Sequence, residues 1–88
     1  MPEEKKLVTL SQLKAGRSGK VVEVRGSHGL LRRLSALGIR QGSKVTKLST
    51  MLMRGPVTVQ SGRTQLAIGF GMANKIIVEV DESRNDVP

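Results

Sequence analysis

Ser27-His28-Gly29-Leu30-Leu31-Arg32-Arg33-Leu34-Ser35-Ala36-Leu37-Gly38-Ile39-Arg40-Gln41-Gly42 is the stretch on which the reading of this 88-residue chain turns. Leu30, Leu34 and Leu37 fall at i, i+4 and i+7, with Leu31 beside them, so the spacing predicts one amphipathic helix over about Leu30–Leu37. Arg32, Arg33 and Ser35 then face water. Ser27 is the candidate N-cap, because its hydroxyl accepts an orphan amide of the first turn. Gly38 stands where a left-handed C′ residue belongs, and Ile39 after it is placed to fold back on Leu34. Gln41-Gly42 reads as a turn into the next strand. Leu30, Leu34, Leu37, Gly38, Ile39 and Gly42 are thus the structural set of this stretch.

Outward from the helix, the chain reads as short strands. Upstream, Val8-Thr9-Leu10 opens a strand, and Leu10 with Leu13 suggests one helical turn stopped by Gly16. Lys20–Arg25 alternates, with Val22 and Val24 on one face, Glu23 and Arg25 on the other, and Val21 out of pattern. Downstream, Lys44–Ser49 is a strand whose apolar pair, Val45 and Leu48, is three apart. That spacing breaks period two and predicts a bulge. Thr50–Pro56 is a loop. Val57 and Val59 alternate with Thr58 and Gln60, and Ser61-Gly62-Arg63-Thr64 is a tight hairpin turn. Leu66 and Ile68 return, Gly69–Asn74 holds a single turn, and Ile76, Val78 and Val80 form the last strand. The fold class is mainly β: a small antiparallel barrel of about five short strands with one inserted helix. The expected division is a polar tail 1–6, one domain 7–80 and a polar tail 81–88.

The run Leu30, Arg33, Leu34, Leu37, Gly38, Ile39, Gly42 fits the pattern Leu-x-x-Arg-Leu-x-x-Leu-Gly-Ile-x-x-Gly. Leu10, Leu13, Gly16, Gly19 and Val21 fit Leu-x-x-Leu-x-x-Gly-x-x-Gly-x-Val. With these motifs the chain resembles the ferrous iron transport protein A (FeoA) family over roughly Leu7–Val80. The resemblance implies an SH3-like barrel with the helix inserted between its first strands. It also implies a small cytosolic accessory that docks on the ferrous iron permease, whose cytosolic part includes a GTP-binding domain. One departure stands out. Where the family usually follows its Leu-Ala with charged residues, this chain has Leu66-Ala67-Ile68-Gly69-Phe70-Gly71-Met72-Ala73.

The charge is uneven. Twelve of the fifteen Lys/Arg lie in Leu7–Val80 against only Glu23 and Glu79, a net charge of +10 there within a chain of +8. Such a field favours an acidic partner: an anionic membrane leaflet, an acidic protein or nucleic acid. Nucleic acid is the less favoured partner, because Phe70 is the single aromatic residue and single-strand binders stack bases on aromatic rings. No cysteine is present, which removes disulfides, thiolate metal sites and cysteine nucleophiles together. No apolar run approaches the roughly 18 residues that span a bilayer. Met-Pro-Glu-Glu-Lys-Lys lacks the apolar core of a signal peptide, so the expected location is the cytoplasm, with peripheral contact at the inner membrane face.

Enzyme chemistry finds no constellation. With His28 as the single histidine and no aspartate between Leu7 and Val80, a Ser/His/Asp triad cannot be assembled there. Gly16-Arg17-Ser18-Gly19-Lys20-Val21 fails as a P-loop: Lys14 stands where the first glycine should be, and Val21 replaces the Ser/Thr that would hold magnesium. Gly69-Phe70-Gly71 lacks the surrounding βαβ unit of a dinucleotide site. No metal ligand set is apparent, since His28 has no neighbouring histidine, cysteine or aspartate, and the methionines are poor donors for ferrous iron. No cofactor is expected. The chemistry that remains is recognition. Arg32 and Arg33 on the helix, and Met51, Leu52, Met53 and Arg54 in the loop, are the candidate partner-binding residues, because arginine and methionine are enriched at interfaces. An arginine donated in trans to a GTPase is one conceivable use of Arg32, Arg33 or Arg54, and the sequence singles out none of them. Two alternatives stand beside docking on the permease: a basic barrel that binds nucleic acid, and a stand-alone relative of the SH3-like domain of metal-dependent repressors.

Overall fold

Valines alternating with polar residues set the strands, and glycines at positive φ turn the chain between them. The computed structural model describes residues 6–50 and 55–80. Along it run β1 (Leu7–Thr9), β2 (Ser18–Val24), α1 (His28–Ala36), β3 (Lys44–Thr50), β4 (Val57–Ser61), β5 (Thr64–Ile68), α2 (Phe70–Ala73) and β6 (Ile76–Val80). Among the described residues there are six strands, and the opening strand expected at Val8-Thr9-Leu10 is β1, which pairs with β6 through Leu7↔Glu79, Val8↔Val78 and Thr9↔Ile77. All pairings are antiparallel, in the order β1-β6-β2-β3-β4-β5. Leu10, Leu13, Val21, Leu34, Ile39, Val45, Val57, Val59, Ile68, Ala73, Ile76 and Val78 form one buried cluster.

The turn between β1 and β2 is made by a capping box. The Thr9 amide donates to Gln12 Oε1 (3.0 Å), while the Gln12 amide reaches Thr9 Oγ1 (3.2 Å). That device winds Leu10–Leu13 into one turn and buries both leucines. The Thr9-x-x-Gln12 spacing was the sequence signal for it.

In β2 the register against β6 shifts between Val21 and Glu23. The bulge brings Val21, out of pattern in the sequence, into the core and keeps Val24 packed against it, with Glu23 and Arg25 exposed as expected. Val21 is fully buried, while Val22 and Val24 are half-buried. Gly19 lets β2 approach β6 closely, since a Cβ there would stand 2.9 Å from the Glu79 carbonyl oxygen. In β3 the register shifts between Lys47 and Ser49, where the Val45/Leu48 spacing predicted a bulge. Leu48 is thereby turned outward at 38% exposure.

The central helix starts and stops two residues and one residue before the expected bounds. The Ser27 hydroxyl accepts from the Leu30 amide (3.2 Å), which caps the first turn. At the other end Gly38 has φ +91°. The Ile39 amide bonds the Leu34 carbonyl (2.8 Å) and the Gly38 amide bonds the Ser35 carbonyl (2.9 Å), which is a Schellman motif. One member of the leucine stripe falls away. Leu34 is 1% exposed and Leu30 packs against the core, but Leu37 is 45% exposed. Leu37 is the C-cap, and the chain reverses at Gly38, so Ile39 rather than Leu37 joins Leu34 in the core.

Candidate recognition surface

The helix places its two arginines in water. Arg32 and Arg33 are both exposed, and Arg33 lies in the last turn, where a cation is favoured by the helix dipole. A groove of about 380 Å³ runs between α1 and β2, lined by Val22, Glu23, Val24, Leu31, Ser35, Ile39, Arg40 and Gln41. Its wall is held by backbone ties. The Gly42 amide donates to the Val21 carbonyl (2.7 Å), the Val21 amide to the Ser43 carbonyl (2.8 Å), and Gln41 Nε2 to the Val22 carbonyl (3.0 Å). Gly38 anchors the far end: its carbonyl accepts from the hydroxyls of Ser43 (2.9 Å) and Ser61 (3.1 Å). The result is a groove of mixed lining, in which Val22, Val24, Leu31 and Ile39 stand with Glu23, Ser35, Arg40 and Gln41. Met51, Leu52, Met53 and Arg54 lie outside the described residues.

A second hollow, of about 140 Å³, is lined by Lys6, Val8, Gln12, Lys14, Arg17 and Val80. On the neighbouring sheet surface Lys20 sits between Lys44 on β3 and Glu79 on β6. The Lys20–Lys44 pair is repulsive and the Lys20–Glu79 pair attractive, so the row holds one net positive charge. Arg25 and Glu23 pair at 3.1 Å, both well exposed, and contribute little to stability.

Lys47 is the residue that the sequence reading missed. It is 1% exposed, and its Nζ donates to the Ser11 carbonyl at 2.9 Å. Its backbone is tied on both sides, with the Gly16 amide on its carbonyl (2.7 Å) and its own amide on the Arg17 carbonyl (3.0 Å). Burial disfavours the charged ammonium and lowers its pKa. Ser11 in turn touches Thr9 (Oγ–Oγ1 2.8 Å) and hydrogen-bonds the Asn74 side chain. Lys47 thus ties β3 to the turn after β1. Period two from Val45 pointed to this inward position, against the usual outward bias of lysine.

Among the described residues no group of three His, Cys, Asp or Glu side chains converges. His28 is exposed at the start of α1. No described helix is long and apolar enough to cross a membrane. The family model described as "FeoA domain" matches residues 8–80. The chain belongs to the FeoA family. A protein of Methanocaldococcus jannaschii named for Fe(2+) transport, protein A, is 34% identical over 70 residues, covering 80% of this chain and 83% of that protein. A crystal structure of an FeoA iron uptake regulatory protein superposes with a TM-score of 0.80 at 31% identity, covering 85% of this chain and 99% of the other. The zinc complex of Stenotrophomonas maltophilia FeoA follows at TM-score 0.71 and 30% identity, covering 82% and 89%. That protein is described as an SH3 domain protein and offered as a ferrous iron transport activating factor.

This FeoA chain shares the mainly β, SH3-like architecture of its relatives, and two of those relatives carry ferrous iron transport in their names or descriptions. A manganese-dependent transcriptional repressor also superposes, at TM-score 0.78 but 20% identity over 44% of its length, and shares the fold alone. In the segment that departs from the FeoA pattern, Ile68 and Ala73 are buried and Met72 packs against the core, while Gly69 and Gly71 are exposed.

Proposed function

We propose that this FeoA protein acts in the cytoplasm, docking on the cytosolic GTP-binding part of the ferrous iron permease and supporting iron uptake there. The observation that carries the reading is the FeoA domain match, which runs through every element from β1 to β6. The proposed contact residues are Arg32 and Arg33 on α1, together with Met51, Leu52, Met53 and Arg54 from the sequence. Exposed arginines suit an acidic protein surface, because the charges steer encounter, and an apolar run supplies buried contact. The same positive field holds the protein near the anionic inner leaflet, where each nearby Lys or Arg is worth about 1 kcal/mol. The test is a pull-down from membranes of the source cells with the tagged chain. Recovery of the permease is the expected result. Its absence, with the tagged chain folded, removes the docking assignment and leaves the family membership intact.

A further inference from the structure

The edge strand β5 carries an inference that is independent of iron uptake. Among the described residues it pairs with β4 alone, in unbroken register from Ser61↔Thr64 to Val57↔Ile68. The two residues Gly62 and Arg63 form the hairpin loop, and this fixes the hydrogen-bond phase. Residues flanking a two-residue loop exchange both their bonds, and the next pair exchanges none. Thr64, Leu66 and Ile68 therefore direct their amides and carbonyls at β4, while Gln65 and Ala67 direct theirs away. Both Gln65 and Ala67 are exposed, and among the described residues no backbone group beyond β4 pairs with them.

Exposed edges are normally guarded by a charge, a proline, a bulge or a covering element. Strand β5 reads Thr-Gln-Leu-Ala-Ile and has none of the first three. It is a neutral strip on a body of net charge +10, so two copies can meet along it without bringing lysines together.

We propose that β5 is a self-association edge, which pairs antiparallel with β5 of a second copy across a two-fold axis at Leu66. That register sets Gln65 opposite Ala67 of the second copy, and Ala67 opposite its Gln65. Each of these pairs joins residues whose amide and carbonyl both point outward, so each exchanges two hydrogen bonds. An axis at Gln65 would use that residue alone and set Ala67 against Arg63. The Leu66 axis also keeps the two Arg63 side chains at opposite ends. Leu66 is half-buried against the core, and its remaining surface meets its own twin. Five residues of strand bury much less than a standard interface, so the dimer is weak and concentration-dependent.

Sedimentation equilibrium over a dilution series reads the association, and the expected weight-average mass climbs from monomer toward dimer. Ala67→Pro removes an outward amide without touching the β4 ladder. It should shift the dimerisation midpoint at least tenfold upward while the dilute protein keeps its melting temperature. A second measurement does not depend on that variant folding. The chain has no cysteine, so Leu66→Cys introduces a single thiol at the axis. The twin Cα atoms of a non-hydrogen-bonded pair lie about 4.5 Å apart, within disulfide range. Thr64→Cys places its twin about 13 Å away along the strands. Selective cross-linking of Leu66→Cys under mild oxidation is the expected outcome. A chain that stays monomeric at the highest concentration, or equal cross-linking of the two cysteine variants, overturns the proposal.

Discussion

Two single residues hold positions that their neighbours dictate. Gly38 is at φ +91°, where a side chain strains the backbone, and its carbonyl gathers the Ser43 and Ser61 hydroxyls. An added Cβ would meet only Ser61 Oγ, at an ordinary 3.5 Å. Strain rather than a clash thus sets the cost of Gly38→Ala, about 1–2 kcal/mol by the left-handed penalty, to be read from urea unfolding midpoints. Lys47 is the second case. The unfolded lysine holds its proton up to about the ordinary value of 10.5, and the folded one releases it earlier because burial penalises the charge. Between the lowered value and 10.5 the unfolded state binds more protons, so stability rises with pH across that window. Below the window the full cost of the buried charge is present. Lys47→Met removes the titrating group. Wild type should gain stability relative to this variant as pH rises from neutral toward 10.5, measured as paired thermal melts. A difference between the two proteins that does not change with pH would sink this account.

At the scale of elements, α1 shows what the sequence does and does not reveal. Its cap and its Schellman stop were both legible, because Ser27, Gly38 and Ile39 each have a local reason to stand where they do. The stripe was legible only as far as the helix continues. A period of 3.6 carries Leu37 to the core side on paper, but the chain has already begun to turn at the C-cap. Substitution should separate the two leucines. Leu34→Ala leaves a cavity under the helix and should cost about 2–5 kcal/mol. Leu37→Ala, at an exposed cap, should stay within about 0.5 kcal/mol. Denaturant titration of both variants checks the pair, and similar losses would mean that the helix packs otherwise. Strands followed the same logic. In β4 and β6 alternation sufficed. In β3 the irregular spacing announced the bulge but not the burial of Lys47, since a charged residue is counted as outward by default. In β2 the bulge lay between two valines, and hydropathy alone could not tell which of them faced the core.

For the whole molecule the decisive property is where charge and apolar surface lie together. Arg32 and Arg33 project from α1 into water, and the apolar run Met51-Leu52-Met53 is the other half of the proposed contact. Their contributions to docking differ in kind. Exposed charges act over a distance and are screened by salt, with a Debye length of roughly 8–10 Å near physiological ionic strength. Apolar contact acts only after the surfaces meet. Arg32→Glu with Arg33→Glu should therefore mainly slow association with the permease's cytosolic domain, by an amount that shrinks as salt rises. Leu52→Ser with Met53→Ser should speed dissociation, with little dependence on salt. A random oligonucleotide serves as the counter-partner. A nucleic-acid binder would lose affinity chiefly through the arginine changes, and the slope of log affinity against log salt would itself flatten, because each lost phosphate contact releases one counterion fewer. Binding kinetics for both double variants against both partners, at two salt concentrations, separate these cases. If both variants are folded and bind the permease domain as wild type does, the docking surface lies elsewhere on the molecule. The basic hollow lined by Lys6, Lys14 and Arg17 is then the next place to substitute, because three cations line one concave site there.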